Sequence, residues 1–396
     1  MVVKVIFKIA AKAGPVAIAS LTAVLGLAGC EGAPGPISVS EDPTDVPMAG
    51  LTTEETQRFR RGDQLIETAF KDTDGLGPLY IETSCRSCHG KDSRGPGKAE
   101  RMAIANLDGT SASDQRALPY GTVIRRHVAA GATHPLLPPD AAPGLLLSTR
   151  IGPALFARGR IDMIPEQAIL DEEARQASLG FVSGRANHVA DGRIGRFGVK
   201  ARVADLDTFT ADAFHGDMGL TSAVFPTEFA NPDGLTDDLK PGVDVAGDMI
   251  ADIAFYIRTL ALPKRAGLTE RGSELLQQAG CLACHVNTYA TRPDASVAAL
   301  AGIAADLYSD LLLHDMGTED ADGITDFDAT GREWKTAPLV GLRFFKSYLH
   351  DGRAKTLDEA VRMHAGDGSE ANDAVHAYEG LSEPDRALLL AHLGNL

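Results

Sequence analysis

The sequence predicts an all-α protein of two unequal halves, and three observations lead there. Two Cys-x-x-Cys-His clusters lie far apart, "SCRSCHG" at 84–90 and "GCLACH" at 280–285. An amphipathic stretch with a capping signal precedes each cluster, and another closes each half. No sustained alternation of apolar and polar residues marks a long strand, although short strands are expected in the loops.

The chain opens "MVVKVIFKIAAKAGPVAIASLTAVLGLAGC". Lys4, Lys8 and Lys12 precede an uncharged apolar run over 14–27, too short for a comfortable membrane span. That is the pattern of a secretory leader. Leu27-Ala28-Gly29-Cys30 resembles a bacterial lipobox, which implies a leader of residues 1–29 and lipidation of Cys30. The expected location is therefore exported, on the periplasmic side, held at a membrane by a lipid anchor. Residues 30–50 are rich in Pro, Gly, Ser and acid and read as a flexible tether.

Folded structure is expected from residue 51. Thr52 and Glu55 can form a capping box, and Leu65, Ile66 and Phe70 make an apolar stripe. "DMIADIAFYIRTLALP" reads as the helix closing the first half, stopped by Pro263. Thr269 is the expected N-cap of the helix before the second cluster, and Ser382 that of the C-terminal helix. The expected domains are 51–262 and 263–396, with one larger two-site domain as the alternative. The first is enlarged by loop-rich insertions over roughly 100–240.

The clusters carry the chemistry. Of five cysteines, four lie in them and Cys30 is the fifth, so none remains for a structural disulfide. Zinc needs four ligands, and each cluster offers three. A thioredoxin-like disulfide wants a βαβ setting, whereas these flanks read helical. Cys-x-x-Cys-His in an exported chain fits covalent haem c: Cys85/Cys88 and Cys281/Cys284 would bond the porphyrin, with His89 and His285 as proximal ligands. Helix, cluster and closing helix is the order of a cytochrome c-like domain. Arg185, Arg193 and Arg196 are candidate partners for haem propionates, or plain surface residues.

The net charge of −16 excludes nucleic acid as an expected partner. It suits charge-steered encounter with a basic redox protein, though simple solubility explains it equally.

"SGRANHV", "YSDLLLHDMG", "GREWKTAPLVGL" and "YLHDGRAKTLDEAVRMHAG" resemble the bacterial di-haem oxidoreductase family, whose members carry peroxidase or thiol oxidoreductase labels. The resemblance runs from about residue 58 to the C-terminus. It implies two cytochrome c-like domains, one haem for peroxide chemistry and one for electron supply. Hydrogen peroxide is then the expected substrate, and a small cytochrome c or cupredoxin the expected donor. It further implies His364 as sixth ligand of the second haem, with Met363 as fallback and His350 as structural. Glu166, in "IPEQAIL", resembles the turn that supplies the distal acid in related peroxidases; a helix-starting carboxylate is the alternative. His127, His134 and His215 are other groups near that haem. Related peroxidases hold calcium between domains, and the acidic stretch "TEDADGITDFD" is where Ca2+ would be sought, though it does not fit an EF-hand. Departures are Val199 and Val340 where the family has Trp, Ala337 where Pro is common, and a shorter 100–145 region. Alternatives are an electron-transfer cytochrome without peroxidase activity, or an oxidase of a protein or thiol. No cysteine is left over to support the thiol label.

Overall fold

The computed structural model describes residues 45–97, 99–140, 144–235 and 240–396. The expected leader, Cys30 and the first part of the tether lie outside the described residues.

In chain order the first half contributes helices α1 (Thr53–Glu67), α2 (Cys85–Cys88), α3 (Arg158–Asp162), α4 (Glu166–Leu179), α5 (Leu206–Met218) and α6 (Gly247–Thr259). The second contributes α7 (Glu270–Gln278), α8 (Leu357–Arg362), α9 (Asn372–Glu379) and α10 (Glu383–Asn395). The caps fall where the sequence puts them. Thr52 and Glu55 form the capping box of α1, and Thr269 and Ser382 cap α7 and α10 through their hydroxyls.

The all-α expectation needs one correction. Six short strands pair antiparallel in twos: β1 (Leu79–Tyr80) with β3 (His127–Val128), β2 (Ala99–Ile104) with β4 (Leu145–Arg150), and β5 (Leu313–Asp315) with β6 (Glu333–Lys335). Strands of two to six residues are too short to print an alternating pattern, so the helical signals mask them. The loop-rich insertion is therefore partly a β-ladder.

α1 lies against α6 at near-backbone contact. A Cβ on Gly62 would sit 2.3 Å from the Asp252 carbonyl oxygen and 2.5 Å from Tyr256 Cβ. Arg58 and Arg61 reach over to Asp252 at 2.7 and 3.0 Å, and Phe59 packs on Tyr256. The end of the expected tether is docked on this pair. Val46 is buried, Met48 donates to the Thr259 carbonyl, and Ala261 donates to that of Val46. The described part of the expected tether is thus folded, because a short backbone bridge at the end of α6 holds it.

The described residues fall in one compact unit. The larger core runs from Phe59 to Val340 and draws on both sides of Pro263. A second core gathers α7, α10 and Tyr378. Arg94, just after the first cluster, donates to the Ser347 and Leu349 carbonyls in the second half. Among the described residues no helix is long and apolar enough to cross a membrane.

Candidate haem sites

Both clusters fold alike locally. His89 donates its backbone N–H to the Cys85 carbonyl at 2.8 Å, and His285 does the same to Cys281 at 3.0 Å. One hydrogen-bonded turn therefore sets each imidazole beside its own pair of sulfurs. No disulfide joins the four cysteines.

Each cluster opens into its own cavity. Cys85 and His89 line one of about 340 Å³, and Cys281, Cys284 and His285 line one of about 310 Å³. Both are in the range of small-molecule and cofactor pockets. Six residues line both cavities: Ile151, Pro153, Ala154, Arg158, Gly198 and Val199. The two spaces are thus separated by a single shared wall.

The imidazoles are prepared as metal ligands. His285 Nδ1 lies 2.9 Å from the Tyr308 carbonyl oxygen, and His89 Nδ1 lies 3.3 Å from that of Ser93. Donation from Nδ1 fixes the tautomer and leaves Nε2 as the lone-pair nitrogen. Burial pushes both rings down to about 4, so they are neutral at pH 7. A Cβ on Gly152 would lie 2.9 Å from His89 Cε1, so only glycine lets the backbone back this ring so closely.

The two cavities differ in what else they contain. His364 lines the His285 cavity, with its Nδ1 held 2.6 Å from the Ala360 carbonyl, and its field contributes to the depressed basicity of His285. Met363 also lines it but is exposed. His350 stacks on Trp334 at 3.7 Å between ring centroids. Among its described lining residues, the His89 cavity has no second histidine and no methionine. It has carboxyls instead, Asp212 and Asp217, amid Arg101, Arg125, Arg150, Arg158 and Arg202.

Several expectations land elsewhere. Glu166 does not line the His89 cavity; it starts α4, accepts from the Ile194 N–H at 3.2 Å and is 45% exposed. Its position after Pro165 is a helix-start position, which is the reading its surroundings match. Arg185 pairs with Glu333, Arg193 with Asp191 and Asp205, and Arg196 donates to three backbone carbonyls; none lines either of these two cavities. His127, His134 and His215 are likewise outside both. The acidic loop expected for Ca2+ is already neutralised by cations. Arg353 meets Asp320, Arg150 and Lys200 hold Asp322, and Arg150 and Arg101 hold Asp326.

The sequence reading missed the buried cations that do face the cavities. Arg158 and Lys335 make no ion pair among the described residues, and burial pulls them down to about 10 and about 7. Arg125 keeps an unbonded buried Nη2. Unneutralised cations around apolar cavities call for anions from a bound group, and the propionates of haem fit that need. No local pattern marks these residues, because their neighbours come from distant segments.

Two adjoining cavities, each lined by residues of a Cys-x-x-Cys-His cluster, give the protein room for two bound groups. The family described as "Di-haem oxidoreductase, putative peroxidase" matches residues 140–396, and the chain belongs to it. It is an oxidoreductase whose cofactors are haems. The matched span takes in the second cluster and not the first, a shorter reach than the resemblance from residue 58.

A search of curated proteins gave no match. Solved structures with similarity include the hydrazine synthase of Kuenenia stuttgartiensis, at 14% identity over 97% of this chain and 100% of that one (TM-score 0.38). A MauG-like protein associated with microbial copper homeostasis matches at 18% over 90% and 92% (TM-score 0.41). The di-haem peroxidase BthA from Burkholderia thailandensis matches at 15% over 86% of each chain (TM-score 0.40).

Proposed function

We propose that this chain is an exported, lipid-anchored di-haem c-type peroxidase, taking electrons from a small redox protein and reducing hydrogen peroxide. The observation that carries the reading is the asymmetry of the two adjoining cavities. One is lined by His364 as well as His285, with His314 and His350 also on its wall, so a second imidazole is at hand for a six-coordinate electron-storing iron. The other has His89 as the one histidine, and no methionine, among its described lining residues, as an iron with an open position requires.

On this reading Cys85/Cys88 and Cys281/Cys284 provide the thioether bonds, and residues 51–262 and 263–396 are two cytochrome c-like halves that share a core. Haem, when bound, supplies the redox iron and the store of electrons. The Nδ1 hydrogen bonds of His89 and His285 hold the proximal rings in place. Arg158, on the shared wall, and Lys335 neutralise propionates. The apolar lining keeps bulk water out, which strengthens every charge interaction inside. Lipidation at Cys30 and export rest on the leader pattern, and the acidic surface suits a basic donor protein.

The test is turnover by purified protein carrying two haems, with a reduced small cytochrome c as donor. Peroxide-dependent oxidation of two cytochromes per peroxide supports the proposal. A protein with both haems attached that exchanges electrons with the donor but ignores peroxide is an electron-transfer cytochrome.

A further inference from the structure

Once Glu166 is placed outside the His89 cavity, the question is which groups there could move protons. α5 answers it, because Phe209, Thr210, Ala213, Phe214 and Asp217 line the cavity along one face of that helix. Asp217 is one of the cavity's two half-buried carboxyls, and among the described residues no donor hydrogen-bonds to its side chain. Arg125 reaches the same cavity from the segment before β3. Its Nε donates to the Gly216 carbonyl at 3.2 Å, its guanidinium lies 3.8 Å over the Phe229 ring, and its Nη2 has no partner although the residue is 1% exposed. A buried donor without an acceptor is costly unless something occupies the cavity to receive it.

We propose that Asp217 and Arg125 are the proton-handling pair for peroxide in the His89 cavity. Asp217 takes the proton from one peroxide oxygen and returns it to the other. The O–O bond then breaks heterolytically and the second oxygen leaves as water. Arg125 stabilises the negative charge that develops on the leaving oxygen. In total one hydrogen peroxide, two protons and two electrons give two waters, the electrons passing through the haems from a one-electron donor protein. This inference rests on the peroxidase reading.

The surroundings of Asp217 suit the task. Burial raises its carboxyl to about 6, and Asp212 on the same helix adds to the rise. Arg125, Arg202 and Arg101 oppose it from three other segments. Arg150 of β4 lines the same cavity, and the Cys85 thiol faces Asp217 from α2. A carboxyl poised near neutral pH can both accept and return a proton. Asp212 is paired to Arg202 and so is not equivalent.

Fluoride binding to the di-ferric protein tests the pair without turnover. In the wild type, affinity is expected to rise tenfold per unit as pH falls toward about 6 and to level off below it, one proton entering with each anion above that pH. Asp217→Asn, nearly isosteric, should flatten that dependence and lower peroxide turnover by 10²–10⁴-fold. Arg125→Gln should weaken fluoride at least tenfold at every pH, and Arg125→Lys should recover part of it. Unaltered pH dependence and turnover in Asp217→Asn overturn the pair and leave the peroxidase reading standing. A wild type that binds no fluoride overturns the open first iron, and the pair with it.

Discussion

His285 Nδ1 and the carbonyl oxygen of Tyr308 lie 2.9 Å apart, and this one contact orients a ring that lines the second cavity together with His364. Tyr308 presents that carbonyl from a left-handed backbone conformation, φ 52°. A non-glycine residue held there is a local cost that the surrounding fold must offset. The orientation of the His285 ring thus depends on a loop well beyond the cluster itself.

Replacing His364 by Ala should open the second iron. Both haems should remain attached by mass, while the number of high-spin ferric centres rises by one per protein relative to the wild type. An unchanged low-spin second haem would mean that Met363 or another group is the sixth ligand.

Glu166→Gln should change peroxide turnover less than about threefold and stability by no more than about 1 kcal/mol, since the side chain is half-exposed and meets only the Ile194 N–H and, at 3.9 Å, Arg196. Steady-state kinetics beside Asp217→Asn separates the two carboxyls. A loss of a hundredfold in Glu166→Gln would restore the local-sequence reading.

His314 bridges two carboxylates, with Nε2 2.9 Å from Asp310 and Nδ1 2.9 Å from Glu370. Burial opposes its charge, but hydrogen bonds to Asp310, Cys284 and Glu370 prevail and raise it to about 12. Burial likewise works to raise Glu370, and hydrogen bonds from His314 and Ser183 overcome it, bringing the carboxyl to about 2. The His314 contribution, raised in the fold, is complete below its unfolded value near 6.5 and declines above it. The Glu370 contribution, depressed in the fold, is complete above its unfolded value near 4.3 and is lost as pH falls toward 2. Denaturant titrations across pH should therefore show this pair strongest between about 4.5 and 6.5. His314→Ala should cost about 3–5 kcal/mol there, because it leaves buried carboxylates unpaired. An equal cost at pH 10 would contradict the assignment of charge.

Gly62→Ala should destabilise the first half by about 1–3 kcal/mol, because the new methyl meets the backbone of α6 rather than a flexible side chain. Thermal unfolding checks this. Stability unchanged within error would mean the helices separate freely.

The residues that bind by local pattern were legible. Cys-x-x-Cys-His needs only one turn of chain, and the caps at Thr52, Thr269 and Ser382 need only three or four residues. Glu166 lies outside the His89 cavity lining, and a Pro-Glu helix start looks the same wherever the helix lies. Asp217 and Arg125 carry no local mark, since their shared cavity joins segments some ninety residues apart. Val46 and Met48 read as tether because their partners are backbone groups at the end of α6, which composition cannot reveal. The two-stranded ladders were too short for their period to register.

The most direct test of the central claim is low-temperature EPR of the di-ferric protein, repeated after half-reduction and again after peroxide. The account predicts one low-spin centre from the His285 and His364 haem. It also predicts one high-spin centre, present at once or on half-reduction, that peroxide consumes. Two low-spin centres that persist through half-reduction and ignore peroxide would contradict it.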